Sequence, residues 1–113
     1  MSMNFGLEAT REIQVVKTGE FTTQTQEVDL WQTPTSVTSA ILEAKDPVQA
    51  YCEWVLAQSK DIPYLIYEED DIWGDGTPIG QSSYNPGKDH VDSVQAWVSE
   101  MIAQGYEVRG IMF

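Results

Sequence analysis

IPYLIYEEDDIWGDGTPIGQSSYNPG, residues 62–87, is the stretch on which the reading of the fold turns. Its first six residues are almost wholly apolar, with branched and aromatic side chains, and such a run predicts a central strand. Pro63 fits near the start of that strand, where a missing N–H matters least. Four acids follow at once, Glu68, Glu69, Asp70 and Asp71. A connection punctuated by Gly and Pro comes next and carries Trp73, Asp75 and Tyr84. The expectation is a long acidic loop over residues 68–88, of a length that is typically functional or mobile in so small a domain.

Helical patterns flank this stretch on both sides. Upstream, Asp46 and Gln49 make a capping box with Pro47 at the first helical position. Val48, Tyr51, Cys52, Val55 and Leu56 then fall at helical spacing, with Trp54 off the stripe. Before that helix, Thr33-Pro34 reads as the cap and first turn of another, whose stripe is Val37, Ala40, Ile41 and Ala44. Downstream, Asp89 is the expected cap of a third helix with Asp92 in the capping-box position. Its apolar stripe is Val91, Val94, Val98, Met101 and Ile102, with Trp97 beside it. Gly105 reads as its stop.

The two ends of the chain read as strands. Phe5, Leu7 and Ala9 alternate with Gly6 and Glu8, and Ile13 and Val15 alternate with Glu12 and Gln14, the period of a sheet with one wet face. Lys17-Thr18-Gly19-Glu20 predicts a hairpin turn with Gly19 at positive φ, leading into a polar second arm of edge character. Residues 106–113 give a last strand, with Tyr106, Val108 and Gly110 on one side. The predicted order is β-β-α-α-β-α-β in one α+β domain over residues 1–113. A mixed or antiparallel sheet of three to four strands carries its helices on one face. The segment from Ile62 onward allows either a parallel crossover or an antiparallel arrangement.

Composition narrows the function classes. The chain has 113 residues, of which 42 % are apolar, enough for one core. Six basic residues against eighteen acids give a formal charge of −12, and the pI is near 4.1. That balance repels nucleic acid and anionic membrane and favours basic partners or simple solubility. A single cysteine, Cys52, excludes an intrachain disulfide. The N-terminal residues lack the pattern of a secretory signal and no window is apolar enough to span a bilayer, so a cytoplasmic protein is expected. A viral protein working in its host cell fits the same description.

Motifs for chemistry fail at named positions. With Asp71 first in a calcium loop, Asp75 would be fifth and Gly76 sixth, but Trp73 stands third and Ser82 twelfth, where a bidentate Glu belongs. Glu68 and Asp70 form a carboxylate pair too common to be diagnostic. His90 is the only histidine and sits at the start of a helix, which suits a structural role. Cys52 lies on an apolar stripe, where a thiol is ordinarily inert. No metal or cofactor is assigned. The segment from Asp61 to Gly87 instead carries six acids and no Lys or Arg. Such a field speeds encounter with a positive surface, and Trp73 and Tyr84 can serve as aromatic anchors.

The expectation is therefore a non-catalytic acidic interaction protein. It would engage a basic protein surface, or occupy the nucleic-acid-binding groove of another protein by charge mimicry, through Glu68, Glu69, Asp70, Asp71, Trp73, Asp75 and Tyr84. Two readings compete with it: a small cation-dependent enzyme using the loop carboxylates, and a homodimer joined at sheet edges whose acidity serves solubility alone.

Overall fold

In the computed structural model, residues 3–67 and 77–113 are described. The first two strands, β1 (Phe5–Gln14) and β2 (Phe21–Glu27), form an antiparallel hairpin. Its turn places Gly19 at φ 72°, a conformation in which glycine alone avoids a Cβ penalty. The first half of β1 buries Phe5, Leu7 and Ala9 completely or nearly so. Its second half runs past the helices, leaving Ile13 and Val15 exposed although they keep the same alternation.

The chain then forms helices α1 (Thr35–Glu43) and α2 (Pro47–Gln58), strands β3 (Ile62–Ile66) and β4 (Gly80–Tyr84), helix α3 (Pro86–Ala103) and strand β5 (Glu107–Met112). The last strand pairs antiparallel with β1, giving a three-stranded sheet of order β2-β1-β5. Glu8 lies opposite Arg109 in this register, and their side chains form an ion pair at 2.8 Å. The helices pack on the face that presents Phe5 and Leu7. Ile41 from α1, Tyr51, Cys52 and Val55 from α2, and Val91 and Val94 from α3 close the core over them. A smaller cluster joins Ala9, Met101 and Tyr106. The molecule is a single α+β domain.

Several local expectations need correction. Thr33 does not cap α1: Pro34 occupies the cap position with no side-chain bond. Thr33 is buried instead, its hydroxyl accepting the Phe5 N–H at 3.0 Å and bonding the Thr38 hydroxyl. Thr38 in turn donates to the Met3 carbonyl at 2.8 Å. This pair ties the start of β1 to α1, which rotates the buried face of that helix toward Thr38 and leaves Ala40 exposed. Helix α3 begins at Pro86 rather than Asp89, because Asn85 accepts the Lys88 N–H at 3.0 Å and Pro86 needs no N–H partner at N1. Leu56 and Ile102, read as core, are 46 % and 60 % exposed at the margins of their helices. The α3 stop is formed by Gln104 as cap and Gly105 at φ 85°.

Gly87 also changes role. It is not a loop residue but a buried one in the first turn of α3, and a Cβ there would come within 2.5 Å of the Ser59 Cβ and 3.3 Å of the Val55 carbonyl oxygen. Only glycine lets the start of α3 approach the end of α2 so closely.

The largest departure concerns residues 62–67. They do form a strand, but β3 is not in the main sheet. It pairs antiparallel with β4 in a separate two-stranded sheet, and every residue of it is exposed. The arrangement excludes the parallel crossover. It also shortens the expected loop, since residues 80–84 are strand and residue 86 starts a helix. The cause is pairing: an apolar run specifies a strand, while Gly-Gln-Ser-Ser in β4 supplies backbone partners without the side chains needed to bury it. With both hairpins extending from the helical core, the principal extents are 68 × 40 × 26 Å. The radius of gyration is 20.2 Å, against about 13 Å for a compact domain of this length.

Candidate interaction arm

The β3–β4 hairpin is joined to the core at one end by Asp61 and Asn85. The Asn85 side-chain amide donates to the Asp61 carboxylate at 3.2 Å while its carbonyl oxygen caps α3. One residue therefore sets both the base of the arm and the start of the longest helix. Beyond the ladder, the Ile79 N–H donates to the Ile66 carbonyl at 2.7 Å and extends the pairing toward the tip.

Strand alternation sorts the arm into two faces. Ile62, Tyr64 and Ile66 share one face with Tyr84, Ser82 and Gly80, to which the register pairs them. Pro63 and Leu65 lie on the other with Ser83 and Gln81. Tyr64 and Tyr84 are diagonal neighbours on the first face, their rings 6.1 Å apart and tilted by 57°. Ile62, Tyr64, Leu65, Ile66, Tyr67, Ile79 and Tyr84 are each between 39 % and 62 % exposed. Isolated two-stranded hairpins are marginal in water, and large apolar side chains gathered on one exposed element mark a contact surface.

Of the residues the sequence singles out, Tyr84 stands on this arm, 49 % exposed and available for contact. Glu68, Glu69, Asp70, Asp71, Trp73 and Asp75 lie outside the described residues. In sequence they fall between β3 and β4. Among the described residues, no group of three or more His, Cys, Asp or Glu side chains is gathered as for a metal ion. No helix there is long and apolar enough to cross a membrane.

A second constellation escapes sequence reading. Tyr51 is wholly buried in α2, and its hydroxyl accepts the Trp31 backbone N–H at 2.8 Å. The same hydroxyl lies 2.8 Å from His90 Nε2 on α3. Having accepted the Trp31 N–H, the hydroxyl can still donate to an unprotonated Nε2 or accept from an Nε2–H, as the imidazole tautomer decides. The Trp31 ring stacks on the imidazole, 5.2 Å away and within 9° of parallel. Burial pushes the Tyr51 hydroxyl up to about 12, opposed by the Trp31 N–H and reinforced by Cys52. Burial lowers the His90 value below that of a free imidazole. Burial, with Asp46 adding to it, raises the Cys52 thiol.

These directions describe a structural lock. Imidazole and phenol are each held neutral by a low-polarity setting and satisfied by one another. Burial of Cys52 favours its thiol over the thiolate. His90 thus joins α3 to α2 and to the segment before α1. Its partner is far away in sequence, and helical spacing gives no sign of a bond between two different helices.

No family model matches the chain, and no curated protein or solved structure is found to be similar to it.

Proposed function

We propose that this chain is a non-catalytic acidic interaction protein, whose contact element is the β3–β4 arm together with the acid-dense segment that joins its strands. The observation that carries this reading is the exposure of seven large apolar side chains on and beside one two-stranded hairpin. Aromatic and aliphatic anchors of this kind contribute most of the energy of a contact once water is excluded from them. The neighbouring segment, with six acids and no base between Asp61 and Asp75, supplies the sign of the partner. Opposite charge steers encounter, and like charge excludes wrong surfaces.

The partner that fits is a protein with a basic surface beside an apolar depression. A nucleic-acid-binding protein has that character, and an acidic arm seated in its groove would block it. The test is retention of proteins from the native cell on immobilised chain, over a salt series. Basic proteins are expected to be held at low salt, released as salt rises, and lost when Asp70, Asp71 and Asp75 are changed together to Lys. Equal retention by that variant at low salt overturns the electrostatic part of the reading.

A further inference from the structure

β1 is the middle strand of its sheet, yet only part of it has a neighbour on both sides. β5 pairs with residues 5–10, ending where Thr10 faces Glu107, whereas β2 stays paired as far as Gln14. The ladder shows which backbone groups this leaves open. Asn4 and Phe113 exchange both of their N–H···O=C bonds, so even-numbered residues of β1 bond toward β5. Val15 bonds across to Glu20, so odd-numbered residues bond toward β2. Glu12 and Gln14 therefore point their N–H and C=O groups into the row that β5 has left. Among the described residues, neither has a backbone partner on that side.

The row is open space. A cavity of about 530 Å³ lies beside β1, lined by Glu12 and Ile13 and by Gln104, Gly105 and Glu107. A Cβ added at Gly105 would meet nothing within 4 Å. No proline or bulge blocks the edge, since β1 pairs with β2 in unbroken register from Glu8 to Gln14. The neighbouring side chains are tied elsewhere. The Gln14 amide donates back to the Gly19 carbonyl at 3.0 Å. Arg11 lies on the helix-bearing face, its guanidinium 4.4 Å from the centre of the Tyr106 ring and donating to the Gln104 carbonyl.

We propose that this slot takes a short extended segment of another protein, added as a strand antiparallel to β1 in the line of β5. A row of open backbone donors and acceptors is matched by another extended backbone, and the flanking side chains select its sequence. The residues opposite Glu12 and Gln14 exchange backbone bonds with them. On the open face of the sheet, Glu12 is the diagonal neighbour of Glu107, and among the described residues neither is in an ion pair. A Lys or Arg opposite Glu12 meets both carboxylates. On the other face, Ile13 and Val15 are 39 % and 40 % exposed and favour apolar residues opposite them. Read from its N-terminus, the segment is apolar, polar, apolar, basic, with the basic residue beside Gly105. The slot shares no residue with the β3–β4 arm, and the proposal does not rest on the reading of that arm.

The probe is the peptide acetyl-Val-Thr-Val-Lys-amide, titrated into the isotope-labelled full chain and followed by the amide resonances. Saturable shifts are expected at the Glu12 and Gln14 amides, with a Kd of roughly 1 mM, the scale of a few exposed backbone bonds. N-methylation of the peptide's Thr and Lys, whose N–H groups face β1, is expected to abolish the shifts. N-methylation of its second Val, whose N–H faces away, is expected to leave them. Glu12→Gln keeps the backbone and is expected to weaken binding roughly two- to fivefold. Absence of shifts at Glu12 and Gln14 up to roughly 10 mM peptide overturns the proposal. So do shifts centred instead on Thr23 and Thr25 at the outer edge of β2, equal loss from both N-methylations, or binding unchanged by Glu12→Gln.

Discussion

Changing Tyr51 to Phe isolates the bond that holds three parts of the core together. The ring is wholly buried and stacks on Phe5, with centroids 5.5 Å apart, so its packing survives the change. What is lost is the acceptor for the Trp31 N–H and the hydrogen-bond partner of His90 Nε2, both at 2.8 Å. Leaving two partly buried polar groups without partners costs about 1–3 kcal/mol. For a domain of this length that lowers Tm by about 4 °C per kcal/mol. Urea unfolding near pH 7.5, followed by tryptophan fluorescence, measures the loss, with an unchanged m-value showing that the fold is kept.

The same bond predicts a pH dependence with a definite sign. Burial depresses the folded-state value of His90 below its unfolded value of 6.5. Between the two values the unfolded chain binds more protons, so stability rises with pH through that window. The contribution is complete above 6.5 and is lost as pH falls through the depressed value. The described residues place no carboxylate in an ion pair with His90 to offset this, the only such pair being Glu8 with Arg109. His90→Gln keeps a hydrogen-bonding side chain but removes the titration, and is expected to flatten the profile from pH 5.5 to 7. A Tyr51→Phe variant as stable as the wild type, or a His90→Gln variant with the wild-type pH profile, would refute this assignment.

Two further predictions concern the helices around the arm. Gly87→Ala drives a Cβ into Ser59 and is expected to cost roughly 1–3 kcal/mol, partly recovered by adding Ser59→Gly, as read from denaturation midpoints. Asp46→Ala removes the acceptor of the Gln49 N–H, bonded at 3.2 Å, and is expected to cost about 1 kcal/mol with no effect on binding through the arm.

The parts of the fold legible in the sequence are those in which periodicity and burial agree. Phe5, Leu7 and Ala9 alternate because one face of β1 meets helices. Tyr51, Cys52 and Val55 recur at helical spacing because one face of α2 meets the sheet. Residues 62–67 show where that logic stops. An apolar run reports that a strand is to be covered, but not by what, and here β3 stands exposed among the described residues. β4 has no apolar alternation to detect, since its residues are a strand only through pairing with β3. The start of α3 was read at Asp89, an ordinary capping residue, whereas Asn85 caps it and Pro86 fits the first helical position. The Tyr51–His90 bond links two helices and leaves no local pattern. Of the candidate site, Tyr84 was legible as an exposed aromatic, whereas Tyr64 and Leu65 read as core and stand on the surface.

The central claim is that the β3–β4 arm makes the contact by which this protein works. Its most direct measurement is retention from the native cell by the wild type and by a Tyr64→Ser, Leu65→Ser, Tyr84→Ser variant. The three positions are exposed, and the variant's helical circular dichroism is checked against the wild type. The account predicts that proteins held by the wild type at low salt are lost from the variant, although all the acids remain. Retention of the same proteins at the same level would show that the arm is not the contact element.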